Sequence, residues 1–312
     1  MNKQDAVAVI MGGPSSEAEI SKVTGAAIAD ALTEKGYQVT RIELEPAKLG
    51  QQLAACGAKV VFNAVHGMYG EDGRLQSMLE ALGLPYTGSR VLASAVAMDK
   101  AATKRFLLAE KISTPKCLIF SRRQAGDLTQ LQARIEEQFG LPVVIKAASQ
   151  GSSIGVVIVK EAGEIVPALR EAFKFSENVL VEECIKGKEL TVAMMEKDGA
   201  PEALPVIMIA PHSGSYDFHS KYTKGATDYL VPAPLSEEVT RHVQELALQT
   251  YLALGLSGVA RVDIMLDENN QGYVLEANTV PGMTATSLVP KAAAAAGIAF
   301  PDLCEKILLS AR

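Results

Sequence analysis

Apolar residues follow two different rhythms along this chain. Ala6–Met11 (AVAVIM) is apolar without interruption, the pattern of a strand covered on both faces of a parallel sheet. Tyr37–Leu44 and Val60–Val65 read as a second and a third strand, and Ile20, Val23, Ala27 and Leu32 mark a helix between the first two that ends at Gly36. Ser16 followed by Glu19 has the form of a capping box and predicts where that helix starts. This first βαβ region closes near Ala97. In a second region Asp99 is placed to cap a helix beginning at Lys100, and Thr114–Phe120, Leu141–Lys146 and Asn178–Val181 read as strands. Leu190–Glu196 and Ala203–Ile209 open a third, mostly antiparallel unit. Its helices are Val239–Leu254, with Val243, Leu246, Ala247 and Tyr251 on one side, and Pro301–Leu309. The polar, glycine-bearing segment 212–229 is long enough for a structureless loop to be functional, and it reads as a lid carrying Lys221 and Tyr222.

The second rhythm, strict alternation, is clearest in the third unit. Between Val259 and Asp267, Ala260, Val262, Ile264 and Leu266 alternate with Arg261, Asp263 and Asp267, and only Met265 departs from the polar face. Residues 268–272 are turn chemistry and Tyr273–Asn278 is a second strand, so the pair predicts an antiparallel hairpin. Folding it sets Glu276 opposite Asp263, with Asn278 on the face of Glu276, Arg261 beside them, and Tyr273, Leu275 and Ala277 pointing away. Two carboxylates about 4 Å apart repel by roughly 4 kcal/mol at an effective dielectric near 20. Such a face requires a proton, a cation or separation. Magnesium suits oxygen donors, and no His or Cys lies nearby to favour zinc. The competing reading is a solvated strand face with salt bridges. The sequel weighs against it: the Pro-Gly turn in 279–284 leaves backbone N–H groups for an anion, and Ser287 follows.

Composition narrows the picture by exclusion. With 48% hydrophobic and 21% charged residues the chain is expected to be a soluble globular protein. A net charge of -6 without a dense Lys/Arg run argues against nucleic acid or an acidic membrane as a partner. Cys56, Cys117, Cys184 and Cys304 are far apart, which favours reduced thiols in a cytoplasmic protein over disulfides or zinc. Ala6–Met11 is too short for a signal peptide, and no stretch approaches the length of a membrane span.

Further candidates sit at strand ends. Glu17 lies in the first helical turn, where the dipole alone favours a carboxylate, yet the carboxyl edge of a parallel strand also faces the ligand crevice of such sheets. His66 ends the third strand before Gly67 and the turn 70–73, a position open to either a core or a functional reading; the turn is not a dinucleotide fingerprint. Lys100 occupies the end of a helix that disfavours a cation, which an anion bound beside it would explain. Lys146 ends a strand just before the Gly/Ser loop 149–156, whose donors suit phosphates although it lacks the Lys-Ser/Thr ending of a P-loop. In 182–189, Gly187 reads as a hinge, Glu183 and Ile185 can offer backbone groups to a flat base, and Glu189 a carboxylate to ribose hydroxyls.

The motifs GGPSSEAEIS (12–21), His66-Gly67 with GEDG (70–73), MDK (98–100), GSSIG (151–155), KY (221–222), RVD (261–263) and EANTVPGMT (276–284) together resemble the D-alanine-D-alanine ligase family of the ATP-grasp superfamily. They span nearly the whole chain in family order. The resemblance implies an α/β ATP-grasp fold of three domains: an N-terminal open parallel sheet with helices (1–97), a central α+β domain (98–188), and a C-terminal α+β domain with an antiparallel sheet, a metal site and the lid 212–229 (189–312). It implies ATP-dependent joining of two D-alanines through an acyl phosphate, for peptidoglycan synthesis, cell-wall biogenesis and cell shape. ATP would be co-substrate, with two magnesium ions, for which manganese could stand in. The enzyme would be a cytoplasmic homodimer with no nucleic-acid or membrane partner.

Carried over residue by residue, the resemblance has Lys100 and Lys146 hold the ATP phosphates, Glu182, Glu183 and Ile185 frame the adenine, and Glu189 meet the ribose. Asp263, Glu276 and Asn278 would bind the metal ions. Glu17 would pair with the ammonium of the first D-alanine, with His66 in the same substrate site. Arg261 and the Gly282 N–H would stabilise the tetrahedral oxyanion, and Lys221 and Ser287 would take the second carboxylate. Ser152 and Tyr222 would hydrogen-bond to each other and to Glu17, closing the lid and relaying the amine's proton. Tyr222 favours an amine over a lactate hydroxyl as nucleophile. Two departures stand out: Cys184 replaces an aromatic residue often seen beside the adenine, and the lid tail KGATD is unusual. The competing readings are another ATP-grasp carboxylate-amine ligase with a different amino acid, and a non-catalytic nucleotide or amino-acid binding protein. The latter has no use for Arg261 beside a metal face.

Overall fold

The computed structural model describes residues 2–123, 126–151, 155–197, 199–212, 223 and 225–312. The first sheet is parallel, in the order β2-β1-β3, from β1 (Ala6–Met11), β2 (Gln38–Glu43) and β3 (Val60–Asn63). Its central strand is the uninterrupted apolar run, and Val7 to Ile10 are fully buried as that pattern requires. Helices α1 (Ala18–Glu34), α2 (Leu49–Ala55) and α3 (Arg74–Ala81) belong to this unit. The predicted capping box does not form. The turn through Gly12 and Gly13, both at positive φ, carries the chain further before helical geometry begins, and Glu17 becomes the N-cap residue. The Glu17 N–H donates to Ser15 Oγ, and Glu19 turns outward to Lys22 at 3.3 Å.

After α4 (Val91–Met98) comes α5 (Lys100–Ala109), capped as expected by Asp99, which accepts from the Ala102 N–H. The second sheet is antiparallel, in the order β4-β7-β5-β6, from β4 (Cys117–Ser121), β5 (Val143–Ala147), β6 (Val156–Val159) and β7 (Asn178–Glu183). Ile135 of α6 (Leu128–Phe139) and Ile165 and Leu169 of α7 (Ile165–Phe175) pack with Val143, Ile145, Val179 and Val181 in its core.

The third sheet runs β11-β10-β8-β12-β13, with β9 also paired to β8. Its strands are β8 (Gly187–Lys197), β9 (Ala200–Ala203), β10 (Ile207–Pro211), β11 (Thr227–Leu230), β12 (Ala260–Asp267) and β13 (Gly272–Asn278). Helices α8 (Glu237–Ala253), α9 (Leu288–Ala295) and α10 (Phe300–Leu309) complete the unit. The single strand expected over 203–209 is two, because Pro205 has no N–H to give a ladder and the chain turns there from β9 to β10. β8 is buried on both faces. Val192 and Met194 pack with Val243 and Leu246 of α8, while Ala193 and Met195 join a core that includes Val9 of β1 and Leu303 of α10. The first and last parts of the chain therefore share one hydrophobic core.

The segment expected to form a lid is flanked by β10 and its antiparallel neighbour β11, with Pro211 opposite Thr227. Lys221 and Tyr222 lie outside the described residues, as does Ser152. Gly187, expected at a hinge, is the first residue of a strand. It opens β8 opposite Asp267, and a Cβ there would begin 1.9 Å from the Leu266 carbonyl oxygen, so only glycine allows β8 and β12 to approach this closely. Gly187→Ala should push the two strands apart and cost about 1–3 kcal/mol, measurable as a lowered midpoint in urea unfolding.

Candidate active site

A cavity of about 340 Å³ is lined by residues of all three units. Glu17 and His66 reach it from the first unit, Lys100 from the second, and Arg261, Glu276, Asn278, Gly282 and Ser287 from the third. Eight of the residues singled out in the sequence thus share one space.

The hairpin β12–β13 supplies its floor. Asp263 stands opposite Glu276 and Arg261 opposite Asn278, as the alternation predicts. The register then slips: Ile264 faces Val274, so Leu275 has no cross-strand partner. This β-bulge changes the facing set. Leu275 does not share a buried face with Ala277; Val274 and Ala277 are the buried residues, and Leu275, Glu276 and Asn278 are more open. The correction has a plain cause, because one extra residue reverses the alternation across it.

Two like charges face each other here, and each is compensated. Arg261 grips Asp263 with two parallel hydrogen bonds, Nε to Oδ1 and Nη2 to Oδ2, both at 2.9 Å. Thr191 of β8 donates its hydroxyl to the same Oδ1 at 2.6 Å. Glu276 Oε2 meets Lys100 Nζ at 2.9 Å, and Lys100 also donates to the Gln150 carbonyl at 2.7 Å. Lys100 stands in the first turn of α5 as the sequence indicates, and its partners come from the second and third units together.

Among the described residues no three His, Cys, Asp or Glu side chains gather as a metal site, and the donor set is two carboxylates and an amide. That set fits a hard cation. Among the described residues, Asp263 Oδ1 accepts two hydrogen bonds and Oδ2 one, which leaves a lone pair on Oδ2, while Asn278 Oδ1 accepts from the Val280 N–H at 3.2 Å.

Glu17 lies between two glycine loops. A Cβ on Gly67 would start 2.7 Å from Glu17 Oε2, and one on Gly151 3.1 Å from it. The carboxylate is therefore beside the residue that precedes Ser152. His66 lines the cavity yet is 4% exposed, and both ring nitrogens have protein partners. Because the Val280 carbonyl can only accept, Nδ1 donates to it at 2.9 Å, and Nε2 is hydrogen-bonded with Thr24 Oγ1 at 3.0 Å. In this arrangement His66 braces the loop that leads to Gly282. Ser287 precedes α9, where its Oγ accepts from the Thr284 N–H at 3.0 Å.

The remaining candidates lie on β5, β7 and β8. Lys146, at the end of β5, meets Glu182 Oε2 at 2.5 Å. Glu183 Oε1 accepts from the Lys116 N–H at 2.8 Å, Ile185 follows in the connection to β8, and Glu189 sits on β8 opposite Met265. Glu182 is 1% exposed, so its carboxylate belongs to the interior. Its other oxygen meets Lys104 Nζ at 2.6 Å. Sequence reading missed Lys104, although its four-residue spacing from Lys100 puts both on one face of α5. Burial opposes ionisation of Glu182, but the two lysines outweigh it and hold the carboxyl below its ordinary range. Burial also works against the Lys146 ammonium, which Glu182, Glu276 and Glu189 nevertheless raise, whereas for Lys104 burial prevails and lowers it.

Lys100 on α5 and Lys146 on one antiparallel sheet, with carboxylates on a second antiparallel sheet and a parallel-sheet unit beside them, belong to an ATP-grasp fold. Residues 43–89 match the family model described as D-ala D-ala ligase N-terminus, and residues 107–309 the one described as D-ala D-ala ligase C-terminus. A D-alanine--D-alanine ligase of Moorella thermoacetica is 48% identical over 303 residues, 97% of each chain. Among solved structures, the D-alanine--D-alanine ligase of Bacillus anthracis superposes with a TM-score of 0.85 at 36% identity, covering 98% of this chain and 97% of that one. The same enzyme complexed with ATP gives 0.83 at 35% identity over the same shares. The chain belongs to the D-alanine-D-alanine ligase family.

Because the folded-state pKa of Glu182 is depressed, its pairing stabilises the fold above the unfolded carboxyl pKa and is lost as pH falls through the lower folded value. Glu182→Gln leaves two buried lysines without a counter-charge and is expected to cost about 3 kcal/mol at pH 7. It should also flatten the acid limb of stability against pH, which urea unfolding over an acid series would reveal.

Proposed function

We propose that this chain joins two D-alanines with ATP, forming D-alanyl-D-alanine, ADP and phosphate for peptidoglycan synthesis. The observation that carries the reading is the convergence of Glu17, Lys100, Arg261 and Glu276, from three units of the chain, on one cavity. Units at 1–97, 98–188 and 189–312 act as its three walls, and the lid over 212–229 as its cover. Lys100 and Lys146 hold the phosphates, the 182–185 segment frames the adenine, and Glu189 meets the ribose. Glu17 orients the first D-alanine through its ammonium, so that its carboxylate faces the terminal phosphate. Two magnesium ions, held by Asp263, Glu276 and Asn278, would neutralise triphosphate charge when bound.

The first carboxylate oxygen attacks the γ-phosphorus and ADP leaves, giving an acyl phosphate. The second D-alanine, held by Ser287 and Lys221 through its carboxylate, attacks the acyl carbon with its free amine. Arg261 and the Gly282 N–H stabilise the oxyanion of the tetrahedral intermediate, which then expels phosphate. The amine's proton leaves through Ser152, Tyr222 and Glu17. Closure of the lid keeps water from the acyl phosphate. ATP and D-alanine are its small-molecule partners, in the cytoplasm, and the chain works as a homodimer.

Phosphate release from ATP and magnesium should require D-alanine and not occur with L-alanine, with the dipeptide identified by mass; ATP binding without D-alanine-dependent turnover would move the reading to a ligase for another amino acid. Arg261→Lys keeps the charge but loses the bidentate grip on Asp263. It is expected to lower kcat by about 100- to 1000-fold while steady-state kinetics show the KM for ATP little changed.

A further inference from the structure

Beneath the proposed nucleotide site lies a cation with no route to solvent. Lys104 is 0% exposed and lies where α5, the segment before β4, β7 and β13 converge. Its ammonium contacts Glu182 Oε1 at 2.6 Å, donates to the Val274 carbonyl at 3.2 Å and donates to the Thr114 hydroxyl. Thr114 in turn donates to the Val274 carbonyl at 2.7 Å, and the Val274 N–H donates to the Ser113 carbonyl at 2.9 Å. One ammonium therefore joins the helix that carries Lys100, the strand that carries Glu182 and the strand that carries Glu276.

The contacts of these groups explain why a lysine is needed there. Lys146 meets one oxygen of Glu182 at 2.5 Å and Lys104 meets the other at 2.6 Å. Lys104 thereby restrains the carboxylate from the side opposite Lys146, at the end of β7 from which the adenine-framing segment departs. We propose that Lys104 is a positioning residue for ATP: it holds Glu182 from behind, and through that carboxylate sets the place from which Lys146 meets the triphosphate. The inference rests on the reading of Lys146 and Glu182 as nucleotide-site residues.

Calorimetric titration of ATP with magnesium, together with steady-state kinetics, tests it on the full chain. Lys104→Met, of similar length and without charge, is expected to weaken ATP binding on the order of 10- to 100-fold, with the KM for D-alanine within about twofold, since the contacts of Lys104 run to Glu182, Thr114 and Val274 and not to Glu17 or Ser287. In a Glu182→Gln background the same substitution should change ATP affinity by less than about twofold, because Lys104 acts through that carboxylate. Equal losses in both backgrounds, or a Lys104→Met protein that is less stable yet binds ATP as the parent does, would overturn the proposal. Should Lys104→Met fail to fold, Thr114→Val removes one anchor and keeps every charge; a selective weakening of ATP binding supports the proposal and unchanged affinity sinks it. Lys146→Met separates the two levels. If it leaves ATP affinity intact, the nucleotide-site reading falls and takes the proposal with it, whereas a loss in Lys146→Met alone removes only the role of Lys104.

Discussion

Two carboxylates held opposite one another on a rigid sheet are the constraint around which this molecule is built. The pairing of β12 with β13 sets Asp263 against Glu276, and backbone hydrogen bonds keep them there despite the repulsion. The compensation comes from three directions. Arg261 lies two residues along the same strand, Thr191 comes from the neighbouring strand and Lys100 from a helix of the preceding unit. The Lys100–Glu276 pair, which joins a helix of one unit to a strand of the next, ties the position of that helix on the sheet to the electrostatics of the cleft.

Packing holds the same sheets from behind. Alternate residues of β8 serve different cores, one with α8 and the other with β1 and the C-terminal helix. Interiors of native density transmit small shifts rather than absorb them, so the loops bearing Glu17 and Gly282 are fixed relative to the hairpin. The hydrogen bond from His66 to the Val280 carbonyl adds a polar link along that path. The buried cluster of Lys104, Glu182 and Lys146 has a parallel place on the other side of the cleft. Breaking such a cluster is costly, yet forming it gains little over apolar packing. Its presence one helical turn from Lys100 is better explained by the placement it gives Glu182 and Lys146 than by stability.

The sequence by itself determined the class of each unit and most of the site. An unbroken apolar run made β1 a doubly covered strand, and strict alternation placed Arg261, Asp263, Glu276 and Asn278 on one hairpin face. Asp99 declared the start of α5. These features are local, set by the periods of strand and helix and by cap chemistry, so neighbouring residues suffice to read them. Tertiary structure decided what depends on residues far apart in the chain. The bulge at Leu275 breaks an alternation that the local sequence keeps, and Gly187 proved to be a close strand contact because Leu266 lies against it. The capping box at Ser16 yielded to the geometry of the preceding glycine turn. Lys104 reads in isolation as one more polar helix residue; only the approach of β7 and β13 buries it and gives it Glu182. Burial and charge pairing are sums over groups brought together by folding, and no local period encodes them.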